Sequence, residues 1–260
     1  MISIKTPQEI EILRKGGKIL GNILNHLAEE TKTGVSPLRL DALAEGLILK
    51  SGGKPAFKNY KTKDSPIPFP ATLCVSANEE IVHGIPDDLP FCEGEIIKLD
   101  IGMRWPAKRG LITDTALTVA VGKVGLEADR LIRATREALA LGIGEVKDGA
   151  RIGDIGAVIE SYLKKNKIGI VRNLAGHGVG YDLHEDPVIP NYGHKGSGPE
   201  IKKGMVLAVE IMTTLGDGRI KSSPDGWTLK SADGTLGAHF EHTVVVTGRG
   251  AEVLTGPDTF

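Results

Sequence analysis

Ile97-Lys98-Leu99-Asp100-Ile101-Gly102 is a mostly apolar run that contains one aspartate, and Leu111-Ile112-Thr113-Asp114-Thr115 is a second such run further along. Short apolar runs rich in β-branched residues predict strands. Proline and glycine in the segment Arg104–Gly110 predict the turn that joins them as a hairpin. Because neighbouring strands can bring two carboxylates together, and a buried carboxylate is costly, the pair needs a cation, hydrogen-bond donors or an exposed face.

The elements around this hairpin form two blocks of the same kind. The first helix should begin at the capping box Thr6-Pro7-Gln8-Glu9, and the second should run from Ser36-Pro37 to Gly52-Gly53. Two more helical patterns lie near Leu126–Lys147 and Ile152–Lys165. The predicted strands are Thr72–Ser76, Glu95–Gly102, Leu111–Gly122, Ile168–Arg172, Met205–Met212 and His239–Thr247. This order predicts an α+β fold, an antiparallel sheet with helices on one face, and hints at two similar halves.

Composition limits the possible classes of protein. The chain has 260 residues, enough for a sizeable core, and its 32 basic and 33 acidic residues give a formal net charge of -1. That balance provides no global field for stable nucleic-acid or membrane binding. The two cysteines, Cys74 and Cys92, form no CxxC pair, and no secretion signal or membrane span is recognisable. We therefore expect a cytoplasmic protein.

The second half repeats the anomaly of an acid inside an apolar strand. Glu210 lies in Val206–Met212, and Glu241 lies within Phe240-Glu241-His242-Thr243. His177 stands between two glycines, in Gly176-His177-Gly178. Two aspartates, two glutamates and one imidazole form an oxygen-rich set that suits a pair of divalent first-row metal ions. A common metal site explains all five residues at once.

In this order, the five residues Asp100, Asp114, His177, Glu210 and Glu241 resemble the dinuclear metal ligands of the pita-bread metallopeptidases. Within that family the chain is most similar to the methionine aminopeptidases. The further motifs that carry the resemblance are Lys5-Thr6-Pro7-Gln8-Glu9-Ile10, Asn78-Glu79-Glu80-Ile81-Val82-His83-Gly84-Ile85-Pro86 and His184-Glu185-Asp186-Pro187. The interval from His184 to Glu210 is too short for the helical insertion of the type II enzymes, which favours type I.

The resemblance implies a pita-bread fold in which residues 1–260 form one catalytic domain, with two pseudo-symmetric halves that meet near residue 124. It implies removal of the initiator methionine from nascent proteins by a water that two divalent metal ions activate. Cobalt, manganese, iron and zinc all remain open, because each can use carboxylate and imidazole ligands. Nascent polypeptide N-termini are the expected partners. Transient ribosome association would use the surface of the core, and a monomer is expected.

The resemblance also implies a role for each ligand. Asp114 and Glu241 would bridge both metal ions, Asp100 would hold one, and His177 with Glu210 would hold the other. Glu210 would also act as the general base.

The remaining site residues follow by the same resemblance. His83 and His184 would lie on the substrate side of the metal ions, near the scissile peptide. Phe69, Cys74 and Trp227 would line the apolar pocket for the methionine side chain. The long proline-rich segment from Lys54 to Pro70 would form the rim of this pocket.

Three features depart from the family pattern. The interval from Asp100 to Asp114 is longer than usual, so a one-residue shift in strand pairing would turn one aspartate away from the site. Leu183 stands where an aromatic residue commonly precedes the second histidine, and Ile211 replaces a common proline. These departures are expected to affect pocket shape and rate rather than the metal ligands. His239 and His242 flank Glu241, and strand alternation should turn at least one of them away.

Alternative functions remain open at this point. A proline-specific aminopeptidase shares the fold and the ligands but usually carries an additional N-terminal domain. A non-catalytic pita-bread scaffold that binds protein or RNA typically loses ligands, whereas all five stand in this chain. A third alternative is an α+β protein whose acidic strands hold only a structural cation.

Overall fold

The computed structural model describes residues 2–62 and 67–256. Its helices within these ranges are α1 (Pro7–Glu30), α2 (Pro37–Lys50), α3 (Leu126–Gly144) and α4 (Ile152–Lys165). Its strands are β1 (Lys54–Pro55), β2 (Leu73–Ala77), β3 (Glu80–Val82), β4 (Ile96–Trp105), β5 (Leu111–Ala120), β6 (Gly169–Ile170), β7 (Ala175–Gly178), β8 (Glu185–Pro190), β9 (Val206–Thr214), β10 (Ile220–Ser222), β11 (Leu229–Ser231), β12 (Gly237–Thr247) and β13 (Gly250–Val253).

Most strands belong to one antiparallel sheet with the order β1-β4-β5-β12-β9-β7-β8. Strands β2, β13 and β6 pair with β4, β12 and β9, and a smaller sheet has the order β10-β11-β3. The predicted α+β class and antiparallel pairing are therefore confirmed. The proline-rich segment from Lys54 to Pro70, which was expected to form the rim of the pocket, contributes the short strand β1. Its Lys54 and Pro55 pair with Arg104 and Met103. The part of that segment at residues 63–66 lies outside the described residues.

Helix α1 begins where its sequence signals predict. The Thr6 hydroxyl accepts a hydrogen bond from the Glu9 backbone N–H, and the Glu9 carboxylate accepts one from the Thr6 backbone N–H. This reciprocal capping box satisfies two N–H groups that the helix itself cannot pair. Helix α3 ends at Gly144, slightly earlier than predicted, and its end is capped by Glu145.

The two faces of the main sheet differ: one packs against the helices, and the other carries the acidic residues. On one face, Leu99 and Ile101 of β4 pack in a core with α1 and α2, while Val209 and Ile211 of β9 pack in a core with α3 and α4. Because successive side chains point to opposite faces, Asp100 emerges on the side away from the helices. We call this side the site face. Burial of the helix face therefore fixes which residues of each strand reach the site.

Threonine hydroxyls reinforce the seam between β5 and β12. The hydroxyl of Thr243 accepts from the Asp114 backbone N–H at 2.9 Å and donates to its carbonyl oxygen at 2.7 Å. The hydroxyl of Thr118 makes the same two contacts with the backbone of His239, at 2.9 and 2.8 Å. Side chains thus complete the strand pairing on both sides of the short ladder at Glu241 and His242.

Close packing of α1 against the chain that follows β13 depends on Gly21. A Cβ atom at this position would lie 2.3 Å from the carbonyl oxygen of Thr255, which is backbone and cannot simply rotate away. We expect Gly21→Ala to lower the free energy of unfolding by about 1–3 kcal/mol, the usual cost of overpacking. Denaturant titration measures it.

Gly46→Ala is the matched control for Gly21→Ala. Gly46 lies on α2, is exposed, and would place its Cβ in open space. Helix propensity predicts that this change raises the free energy of unfolding by up to about 1 kcal/mol. Equal effects of the two substitutions would contradict the close contact at Gly21.

Candidate metal centre

A row of directly opposed residues crosses the sheet and carries most of the acidic groups. Cys74 of β2 pairs with Asp100 of β4, which pairs with Ala116 of β5. Ala116 in turn pairs with Glu241 of β12, and Glu241 pairs with Glu210 of β9. Directly opposed residues in adjacent strands project on the same side of a sheet. The two glutamates and Asp100 therefore share the site face.

Asp114 and His177 join this row from positions two residues along their strands. Asp114 precedes Ala116 by two residues and pairs with Gly102, and His177 pairs with Ala208, two residues before Glu210. The β4–β5 ladder runs without a register shift to the Trp105–Leu111 pair. The extra residues of the long Asp100–Asp114 interval thus lie in the turn, and both aspartates face the same way.

The five residues predicted as ligands lie together and are largely buried. One ligand atom from each of Asp114, His177 and Glu241 lies within 4.8 Å of the other two. The Nε2 atom of His177 is 3.5 Å from Oε1 of Glu210. Asp100 lines the same cavity as these four residues.

Burial and mutual repulsion oppose ionisation of three carboxyl groups. Desolvation raises the pKa of Asp100 to about 7, although nearby His239 acts in the opposite direction. Desolvation likewise raises the pKa of Asp114 and of Glu241 well above their ordinary values, and repulsion from the other acids adds to it. For Glu210, burial also raises the pKa, but His239 and His177 outweigh it and the net shift is downward.

These acids fit divalent cations by their unsatisfied oxygens. Oδ1 of Asp100, Oδ1 of Asp114 and Oε1 of Glu241 are buried without a hydrogen-bond partner in the part of the chain that the structure describes. Buried polar groups are normally paired, and unpaired ones are costly. Carboxylate oxygens with an imidazole are also the donors that divalent first-row metal ions use. A bound cation would supply the missing partner and reverse the direction of these pKa shifts.

His83 and His184, the predicted substrate-side histidines, line the same cavity. Burial lowers the pKa of His83 to about 4, and burial together with His177 lowers the pKa of His184 to about 4. Both rings are therefore uncharged near neutral pH. The ring of His184 lies against that of His177, with 4.4 Å between centroids, and its Nδ1 is 2.7 Å from the hydroxyl of Tyr60.

The predicted pocket residues form the apolar wall of this cavity of about 80 Å³. The rings of Phe69 and Trp227 meet edge to face at 5.3 Å, and Trp227 meets His83 in the same way at 6.0 Å. The indole N–H of Trp227 donates to the carbonyl of Ile67 at 2.9 Å, which fixes the ring. Cys74 is buried, and desolvation raises the pKa of its thiol, so it contributes an uncharged wall.

Known proteins match this chain over almost its whole length. Residues 11–248 match the model of metallopeptidase family M24. The methionine aminopeptidase of Clostridium perfringens is 41% identical over 255 residues, which cover 98% of this chain and 99% of that protein. Methionine aminopeptidase 1 of Bacillus subtilis gives the same figures. The chain belongs to metallopeptidase family M24, among its methionine aminopeptidases.

The solved structure of a methionine aminopeptidase agrees with this assignment, and that of a prolidase agrees with the fold. The methionine aminopeptidase of Thermotoga maritima superposes with a TM-score of 0.93 at 40% identity and covers 98% of this chain and 100% of its own. The prolidase of Pyrococcus furiosus reaches a TM-score of 0.77 at 24% identity, and the match covers 66% of its chain. The prolidase shares the pita-bread fold and extends well beyond the matched part.

Tyr60 and His239 are among the residues of this site that were not predicted as site residues. Tyr60 lies in the segment between β1 and β2 and reaches His184, a contact that no strand or helix pattern could indicate. His239 precedes Glu241 by two positions on β12, so the period of a strand already places both on one face. His242 projects to the other face, where its Nδ1 is 3.1 Å from the Thr255 hydroxyl.

His239 supports the Glu210 carboxylate from the side opposite His177. Its side chain is only 1% exposed, and its Nε2 lies 3.3 Å from Oε2 of Glu210. Neither ring nitrogen has a well-formed hydrogen bond within the described residues, and Nε2 contacts Glu210 at an ion-pair distance. Outer residues that orient a ligating carboxylate commonly affect metal affinity.

We expect His239→Leu to weaken the affinity of this M24 site for Mn²⁺ or Co²⁺ by about 10–100-fold, because Glu210 loses a polar neighbour. Equilibrium dialysis of the metal-stripped protein measures it. His239→Gln, which keeps an N–H donor, should retain most of the affinity. A leucine variant with wild-type affinity would show that His239 only fills space.

Proposed function

We propose that this protein removes the N-terminal methionine from newly made proteins, as an aminopeptidase with two divalent metal ions. The observation that carries the proposal is the arrangement of the site. Five side chains of the types that bind metal ions lie on one sheet face around a cavity that also has an apolar wall, two neutral imidazoles and the hydroxyl of Tyr60. The similarity to methionine aminopeptidases over nearly the whole chain supports the same reaction.

In this proposal the sheet determines which metal ion each ligand holds. Asp114 and Glu241 lie near the middle of the row, on β5 and β12, and would bridge both ions. Asp100 on β4 would hold one ion, and Glu210 with His177 on the other side would hold the second. Bound ions would lower the pKa of a water toward neutrality and polarise the scissile carbonyl.

Glu210 is suited to accept the proton of the attacking water. Its pKa is below the ordinary value despite burial, because His239 and His177 favour the ionised form. It therefore remains a base near neutral pH, while its strand holds it opposite Glu241. Its proton would then pass to the amine of the departing peptide.

His184 and His83 would hold the scissile peptide group. In the tautomer in which Tyr60 donates to Nδ1 of His184, the Nε2–H of that ring is left to donate into the cavity. Such a donor can stabilise negative charge that develops on the carbonyl oxygen. A neutral ring suits this task, because it donates without repelling the bound cations.

Phe69, Trp227 and Cys74 would form the subsite for the methionine side chain. All three are buried and present uncharged or aromatic surface next to the carboxylates. Thioether sulfur interacts favourably with aromatic edges, which Phe69 and Trp227 offer together. The whole chain would act as one catalytic domain of two pseudo-symmetric halves, divided near residue 124.

The proposed substrate also sets the expected surroundings. Nascent polypeptide N-termini occur in the cytosol, so we place the enzyme there as a monomer with transient ribosome contacts. Among the described residues, no helix combines the length and the apolar character needed to cross a bilayer.

Peptide hydrolysis tests the function directly. We expect the metal-stripped protein to be inactive and, after Mn²⁺, Co²⁺, Fe²⁺ or Zn²⁺ is restored, to release methionine from Met-Ala-Ser but little leucine from Leu-Ala-Ser. Glu210→Ala should lower kcat by at least about 10³-fold, because it removes both a ligand and the base. Chromatography of the released amino acid measures both results.

Two outcomes would contradict the proposal. Cleavage of Ala-Pro-Ala in place of Met-Ala-Ser would indicate a proline-specific aminopeptidase of the same fold. Tight metal binding without turnover of any peptide would indicate a binding scaffold. Phe69→Ala serves as a matched test of the pocket, since it should raise KM for Met-Ala-Ser while leaving metal affinity unchanged.

A further inference from the structure

The segment before α1 reaches across the molecule to the turn that carries His184. The side chain of Lys5 is 0% exposed, and its Nζ lies 2.7 Å from Oε2 of Glu185, whose side chain is 10% exposed. Lys5 is also anchored through its backbone, since its N–H donates to the carbonyl of Gly204 at 2.8 Å. Solvent and salt screen such a buried ion pair much less than an exposed one.

The Glu185 carboxylate joins two separate parts of the chain. Its Oε1 accepts from the backbone N–H groups of Tyr181 at 2.6 Å and Asp182 at 3.2 Å. Its Oε2 accepts from Lys5 and from the Ser3 hydroxyl. One oxygen therefore caps the turn at residues 181–184, while the other ties that turn to the N-terminal segment.

Two further contacts show that the turn is shaped around Lys5. A Cβ atom at Gly180 would lie 2.5 Å from Cε of Lys5, and Gly180 has a φ of +141°, so glycine is required there. The Lys5 ammonium lies 4.3 Å from the centre of the Tyr181 ring, and the Tyr181 hydroxyl donates to Glu9 of α1 at 2.8 Å. Both ends of the turn are thus held by the first residues of the chain.

We propose that Lys5 and Glu185 are positioning residues for His184. By fixing the turn at residues 181–184, this ion pair keeps the His184 ring against Tyr60 and His177 in the cavity. Neither residue lines the cavity itself, so they act through the residues of the turn that do, Leu183 and His184. The effect on catalysis rests on the proposed function, whereas the effect on the turn does not.

The test replaces Lys5 with methionine, which keeps the length of the side chain and removes its charge. We expect kcat/KM for Met-Ala-Ser to fall about 10–100-fold, because a small displacement of a group that holds the substrate is costly. Metal affinity should stay at the wild-type value, since Lys5 is not one of the five proposed ligands. Lys15→Met, an exposed change on α1, is the matched control and should have no effect.

A double-mutant cycle separates positioning from general damage. If Lys5 acts through His184, then Lys5→Met should cost almost nothing further in a His184→Ala background. Glu185→Gln keeps an acceptor for the turn but loses the charge, and should reproduce the Lys5→Met loss. Additive losses in the cycle, or wild-type kcat/KM in Lys5→Met and Glu185→Gln, would overturn the proposal.

Hydrogen exchange reads the turn without using activity. In Lys5→Met, the amides of Tyr181 and Asp182 should exchange faster than in the wild type, while those of β9 stay protected. Unchanged exchange at the turn would refute the positioning role. If wild-type protein released no methionine but the exchange result held, the proposed function would fail and the role of Lys5 would stand.

Discussion

The repulsion between carboxylates that one face of a sheet forces together is the constraint on which this structure depends. Asp100, Asp114, Glu210 and Glu241 come from four adjacent strands, and register leaves them no freedom to separate. Burial raises the pKa of three of them, so the apo site favours protonated acids. In the proposed function, a bound cation would relieve this repulsion and would also act there as a Lewis acid. The free-energy cost of holding these acids together without a metal ion would thus be recovered when a metal ion binds, which raises the affinity for metal.

Apolar residues on the helix face of the sheet hold the acids on the site face in position. On the helix face, Leu99 and Ile101 flank Asp100, and Val209 and Ile211 flank Glu210, all fully or almost fully buried. A shift of register would exchange acids for isoleucines and leave both faces unsatisfied. The hydrophobic core is therefore what holds the acids in place. The Thr118 and Thr243 hydroxyls add to this at the β5–β12 seam, where the backbone ladder is short.

The sequence correctly predicted those features that follow from the alternation of a strand or from a helix-capping motif. The apolar alternation around Asp100 and Glu210 defines the strands, and the capping box at Thr6 defines the start of α1. The contacts of Tyr60 with His184 depend instead on the path of an irregular segment, for which no local pattern exists. The same alternation places His239 on the face of Glu241, but only the structure shows that its Nε2 lies close to the Glu210 carboxylate. The ligand roles themselves came from family resemblance rather than from spacing.

One part of the site stands on paired strands, and the other part stands on loops whose shape depends on contacts with side chains elsewhere in the chain. The five predicted metal ligands stand on paired strands, whereas His83, His184 and Tyr60 stand on turns and loops beside the sheet. A turn has few backbone partners of its own, so side chains must supply them. Glu185 does this for the His184 turn by satisfying the N–H groups of Tyr181 and Asp182. Because the carboxylate that does so is paired with Lys5, the precision of the substrate-side histidine depends on residues that precede the first helix. In the proposed function, the sheet would set where metal ions bind, and the peripheral contacts would set how well the peptide is presented to them.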